Sequence, residues 1–90
     1  MRIVNKDGAK EEFEDGKLYE SVYYPCREAE MSEDDANDLA DKVLYEIKAW
    51  ISDHEDNVFS SKEIREKVIS ILERENEDAS FLYKTHMDIN

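Results

Sequence analysis

Arg2-Ile3-Val4-Asn5-Lys6-Asp7-Gly8-Ala9-Lys10-Glu11-Glu12-Phe13 sets two short apolar runs on either side of an Asp-Gly pair. Glycine accepts φ > 0 without steric cost, so Asp-Gly between such runs reads as the turn of a β-hairpin. Asp15-Gly16 punctuates the chain next, and an apolar periodicity begins at Lys17-Leu18. Four of the 12 basic residues, Arg2, Lys6, Lys10 and Lys17, stand in this opening stretch of a chain whose formal net charge is -12. A lysine-bearing hairpin that feeds a helix on an otherwise acidic protein marks a local site for an anion.

The 90 residues make a single small domain, residues 1–90, which buries roughly 60–65% of its unfolded surface. Charged residues are 40% of the chain, but the apolar ones recur at helical spacing, which argues for folding rather than disorder. No apolar run approaches the ~20 residues that span a bilayer. The amino terminus lacks the apolar segment of a secretory signal, so no membrane partner and a cytoplasmic address are expected. A lone cysteine, Cys26, excludes an internal disulfide; on the apolar register of a helix it reads as a buried small hydrophobe. Between Glu28 and Asp56 only Lys42 and Lys48 oppose eleven acidic residues. Nucleic acid is therefore excluded as a partner, since counterion release needs clustered Lys and Arg.

Asp15 reads as the N-cap of a helix carrying Leu18, Val22, Cys26 and Ala29, which Pro25 should kink or shorten. Ser32, with Asp35 three residues on, opens the most regular element, a helix bearing Ala36, Leu39, Ala40, Val43, Leu44, Ile47, Trp50 and Ile51. Val58-Phe59 is a short β-prone pair, and Ser60-Ser61 with Glu63 caps a third helix carrying Ile64, Val68, Ile71 and Leu72. Glu75 to Asp78 reads as a turn before a last helix with Ala79, Leu82, Tyr83 and His86. The sum is an α+β fold, a four-helix bundle capped by a small β-hairpin or three-stranded sheet.

Catalytic constellations are missing from this pattern. Gly8 and Gly16 are the only glycines, and neither lies in a Walker-type phosphate loop. One Cys and two isolated His, His54 and His86, build no zinc site, and Asp34-Asp35 with Asp38 lacks the glycine turn of an EF-hand. No catalytic residue and no metal ligand is assigned. The hairpin and its lysines remain: Lys6 precedes the turn, and Lys17 starts a helix whose free N–H groups also favour an anion. On spacing alone, a solvated hairpin explains the same residues.

Three stretches together resemble the ATP-cone, a nucleotide-sensing domain of ribonucleotide reductases and their transcriptional repressor. The first is Ile3-Val4, Lys6, Asp7-Gly8, Glu11, Phe13 and Lys17-Leu18; the second is Val58-Phe59-Ser60-Ser61-Lys62-Glu63-Ile64; the third is Phe81-Leu82-Tyr83-Lys84. The resemblance implies that ATP or dATP sits between the hairpin and the bundle. Lys6 and Lys17 would face the phosphates, Glu11 the adenine, Ser61 and Arg65 the sugar and phosphates, while Val4 and Leu18 line the base pocket. Mg²⁺ would accompany the nucleotide, held mainly by phosphate oxygens and water.

Two departures matter. Asn5 stands where many members carry a second basic residue, and the chain reaches Asn90 without a strongly basic tail. The expected function is a non-catalytic regulatory domain that binds ATP or dATP and signals through an unidentified protein partner or a homo-oligomer. The alternative is an interaction module that keeps the fold, has lost the nucleotide, and docks a basic partner through its acidic helix. A small nucleotide hydrolase is a third, more distant reading.

Overall fold

Apolar residues recurring at three- and four-residue spacing give four helices, and these carry the chain. The computed structural model describes residues 2–4, 10–12, 14–54 and 59–89, with side chains placed for 14–54 and 59–87. Strands β1 (Arg2–Val4) and β2 (Lys10–Glu12) precede helices α1 (Asp15–Glu28) and α2 (Glu33–Ser52). Strand β3 (Phe59–Ser60) leads directly into α3 (Ser61–Glu75), and α4 (Glu77–Ile89) ends the described chain. The helices pack in a ring: α1 on α2, α2 on α3, α3 on α4, and α4 back on α1. None of the described helices is long and apolar enough to cross a membrane.

Each helix turns one stripe inward. Leu18, Val22 and Cys26 of α1 meet Ala36, Ala40, Val43 and Ile47 of α2, Val68 and Leu72 of α3, and Ala79 and Tyr83 of α4 in one core. Val22, Val43, Ile47, Val68 and Leu72 are fully buried, and burial of such a side chain is worth roughly 1.5–3 kcal/mol. Cys26 is buried as its spacing predicts, and burial pushes its thiol up to about 11. Trp50 packs from the rim, its ring 4.6 Å from that of Phe59 and within 5.6 Å of the Lys67 ammonium.

The expected α+β class is corrected. The helices run to 14, 20, 15 and 13 residues, whereas the strands hold three, three and two. The chain is mostly helical rather than a bundle capped by a three-stranded sheet. β1 does pair antiparallel with β2 and parallel with β3, but ladders this short form no layer of their own. Phe59 is the one described strand side chain in the core. The hairpin turn and Val58 lie outside the described residues.

Three local readings also change. The N-cap of α1 is Glu14, whose side chain makes no cap bond, and Asp15 falls inside the first turn. Pro25 stays within α1, buried, and the helix runs three residues past it. The expected turn at residues 75–78 contracts to Asn76 alone, which closes α3 and caps α4 by accepting from the Ala79 N–H at 3.0 Å. Ser32 caps α2 as read, its Oγ accepting from Asp35 N–H at 3.1 Å.

Helix α1 ends in a left-handed residue that is not glycine. Met31 N–H donates to the Cys26 carbonyl at 3.2 Å and Glu30 N–H to Arg27 at 3.0 Å, the two bonds of a Schellman cap. Glu30 holds φ 67°, where an L-residue is strained and glycine is not. Glu30→Gly is expected to raise stability by roughly 1 kcal/mol, read as a higher urea midpoint with unchanged slope.

Two polar groups interrupt the α4 core. Ser80 is 1% exposed, and its Oγ has no hydrogen-bond partner among the described residues. Tyr83 is 2% exposed; burial pushes its hydroxyl up to about 12, opposed chiefly by the nearby Arg65 guanidinium. Because the folded state holds this proton more tightly than the unfolded chain, Tyr83 costs nothing below pH ~10 and destabilises as pH climbs from 10 towards 12. Chemical denaturation across that range should show a steep alkaline loss that Tyr83→Phe flattens. Ser80→Ala should be neutral or stabilising in the same assay, since it removes an unsatisfied hydroxyl.

Candidate functional site

The site begins where β1 meets α3. Parallel pairing sets Ile3 beside Phe59 and Val4 beside Ser60, so the end of the first strand lies against the start of α3. Ser60 caps that helix: its Oγ accepts from Glu63 N–H at 3.0 Å and donates to Glu63 Oε1 at 3.2 Å. The Glu63 donor is thus spent, while the earlier first-turn N–H groups of Ser61 and Lys62 remain at the positive end of the helix dipole. Ser61 and Arg65 stand one turn apart on one face, both half-buried. That arrangement offers donors and a fixed positive charge to an anion.

On the second strand Glu11 pairs with Ile3. Its backbone therefore runs beside β1, on the side away from β3 and one register position before the Val4–Ser60 pair. Lys6 lies outside the described residues, and no side-chain position is described for Val4 or Glu11.

Helix α1 brings the remaining residues. Lys17 is exposed and forms an ion pair with Glu14 at 3.2 Å. Leu18 is 9% exposed and belongs to the core, so its side chain is chiefly a packing element. Its carbonyl accepts from Ser21 Oγ at 2.7 Å. The Tyr83 hydroxyl on α4 lies close enough to the Arg65 guanidinium of α3 to feel its charge.

Sequence reasoning misses that Tyr83, buried on the last helix, lies near the Arg65 guanidinium. A tyrosine in place of an aliphatic residue on that helix is the signal that could have found it. Lys48 bonds Asp15 at 2.7 Å, tying the end of α2 to the start of α1. His54 is exposed, its Nδ1 2.8 Å from the Trp50 carbonyl, and His86 pairs with Glu28 at 3.0 Å.

Comparison with known proteins adds the identity of the domain. No curated protein matches the chain. The ATP cone domain family matches residues 1–83, a span that includes β1, β2, α1, α2 and the cap of α3. The chain therefore belongs to the ATP cone domain family, whose members are nucleotide-sensing regulatory domains.

Proposed function

We propose that residues 1–90 act as one ATP-cone domain that binds ATP or dATP between the hairpin strands and the helical bundle, and that the protein is a non-catalytic cytoplasmic regulator. The observation that carries this reading is the register of β1 on β3. Val4 beside Ser60 brings the strand that leads into Asn5-Lys6-Asp7-Gly8 against the donor end of α3. Lys6 and Lys17 then face the phosphates, with Ser61 and Arg65 beside the sugar and phosphates. Glu11 lies towards the adenine, and Val4 with the edge of Leu18 lines the base pocket.

Mg²⁺ fits this site only as part of the nucleotide. Among the described residues no group of three or more His, Cys, Asp or Glu is placed to hold a metal ion, so the ion would travel with phosphate oxygens and water. The signal passes to a protein partner or a second copy of the chain.

Calorimetric titration with ATP, dATP and GTP, each with and without Mg²⁺, tests the reading. Adenine nucleotide is expected to bind, and at about 100 times Kd to add roughly 2.7 kcal/mol of stability. Absence of heat for ATP and dATP would instead favour an interaction module that has lost the nucleotide. Lys17→Ala and Arg65→Ala should each weaken binding about ten- to a hundredfold, the worth of one charge-assisted contact. Lys42→Ala loses only the ion pair with Glu75, at the end of α3 opposite Ser61, and should leave nucleotide affinity unchanged.

A further inference from the structure

The outward face of α1 is a surface the helical ring leaves uncovered. Glu20, Tyr24 and Arg27 stand at helical spacing on the side opposite buried Leu18, Val22 and Cys26, with Tyr23 at the edge. Tyr24 is 62% exposed. Tyr23 forms the middle of an aromatic run: its ring stacks on Tyr19 with centroids 5.8 Å apart and meets Tyr24 edge-on at 5.5 Å. A shallow groove lined by Gly16, Tyr19, Glu20, Tyr23 and Tyr24 follows this run, and a Cβ added at Gly16 would meet no atom within 4 Å. Exposed tyrosines of this kind are the side chains that anchor protein interfaces.

Charge determines what the face accepts. Counting outward from the Tyr23-Tyr24 pair within α1, Glu20 and Arg27 lie at equal distances on either side. A two-fold axis through the pair, with the helices antiparallel, sets Glu20 against Arg27 of the second copy, a contact that occurs twice. A slip of three residues would set Lys17 against Arg27 of the second copy, so the charges select one register.

We propose that this face of α1 is a self-complementary docking surface whose occupant is a second copy of the same chain. Arg27 now lies 3.6 Å from Glu33, its side chain 41% exposed. A surface pair of this kind contributes little, so exchanging it for a contact across the axis costs little. The net charge of -12 on each copy opposes association, but screening over about 8 Å at physiological salt weakens distant repulsion more than contact pairs. One face of a 14-residue helix is smaller than a standard interface, and the dimer is weak and in rapid exchange.

Sedimentation of the nucleotide-free chain at concentrations up to about 1 mM tests this without bearing on nucleotide binding. The chain is expected to self-associate, and Glu20→Arg and Arg27→Glu should each weaken association at least about tenfold by setting like charges across the axis. An equimolar mixture of the two variants should associate again, because the mixed pair restores opposite charges at both contacts. Both positions are exposed and circular dichroism verifies the fold; should either variant unfold, Tyr24→Ser carries the test and should likewise abolish association. A chain that stays monomeric throughout, variants that associate like the parent, or a mixture no better than its components would each overturn the proposal.

Discussion

The closed ring of helix contacts is the constraint on which the rest of the molecule depends. With α4 returning to α1, the two ends of the described helical chain are fixed against one another. Cys26 and Val22 are fully buried, and Tyr83 of α4 is 2% exposed in the same core. Had α4 stayed away, the stripe of α1 would face water on one side. Its first turn, with Lys17 and Leu18, would then have no fixed position relative to α3. Packing of ordinary Val, Ile and Leu side chains is therefore what sets the geometry of the proposed nucleotide end.

Electrostatics works within that frame rather than creating it. Cations on an acidic chain are scarce, and several are spent joining helices. Lys48 bridges α2 to α1 through Asp15 at 2.7 Å. Lys42 bridges α2 to α3 through Glu75 at 2.5 Å, and Arg74 bridges α3 back to Glu46 at 2.7 Å. The Lys42 ammonium, with Arg74 adding to it, holds the Glu75 carboxyl below the usual carboxylate range. These pairs are exposed and individually weak, but they neutralise the faces by which acidic α2 approaches its neighbours. Its outer acidic residues are left to water.

Sequence periodicity resolves the helices well because each buries a stripe with a fixed repeat. Ala36 to Ile51 on α2 and Ile64 to Leu72 on α3 fall inward where the spacing places them. The Ser32 and Ser60 caps were equally legible, since a hydroxyl followed three residues later by an acid has one favourable use. Overreading begins at the strands. An Asp-Gly pair reports that a turn is favourable, not how many residues pair on either side, and here the ladders are too short to make a layer. Boundaries fail for a related reason: Glu14 and Asp15 are both plausible caps, and Asn76 serves two helices at once, which no local pattern encodes. Of the candidate site residues, Ser61 was visible as part of a helix start, whereas Arg65 came only with the family resemblance. The nearness of Tyr83 to Arg65 was not legible, because it joins residues far apart in sequence through tertiary packing.

A sensing domain must bias the equilibrium of something other than its own ligand site, and the bias is reciprocal. In this chain α1 is the element that touches both ends of that problem. Its first turn carries Lys17 and Leu18 towards the proposed nucleotide site, while Glu20, Tyr24 and Arg27 on the next turns face outward. Its inward side is held by α2 and α4. A rigid helix packed on two neighbours cannot shift one turn without shifting the next. Any displacement of α1 that nucleotide produces therefore reaches the outward tyrosines without a separate relay. Helices α1 and α3 each pack on both α2 and α4, so the set of α1 and that of the helix carrying Ser61 depend on the same two neighbours. Coupling of this kind needs no long pathway, only one helix shared by both surfaces.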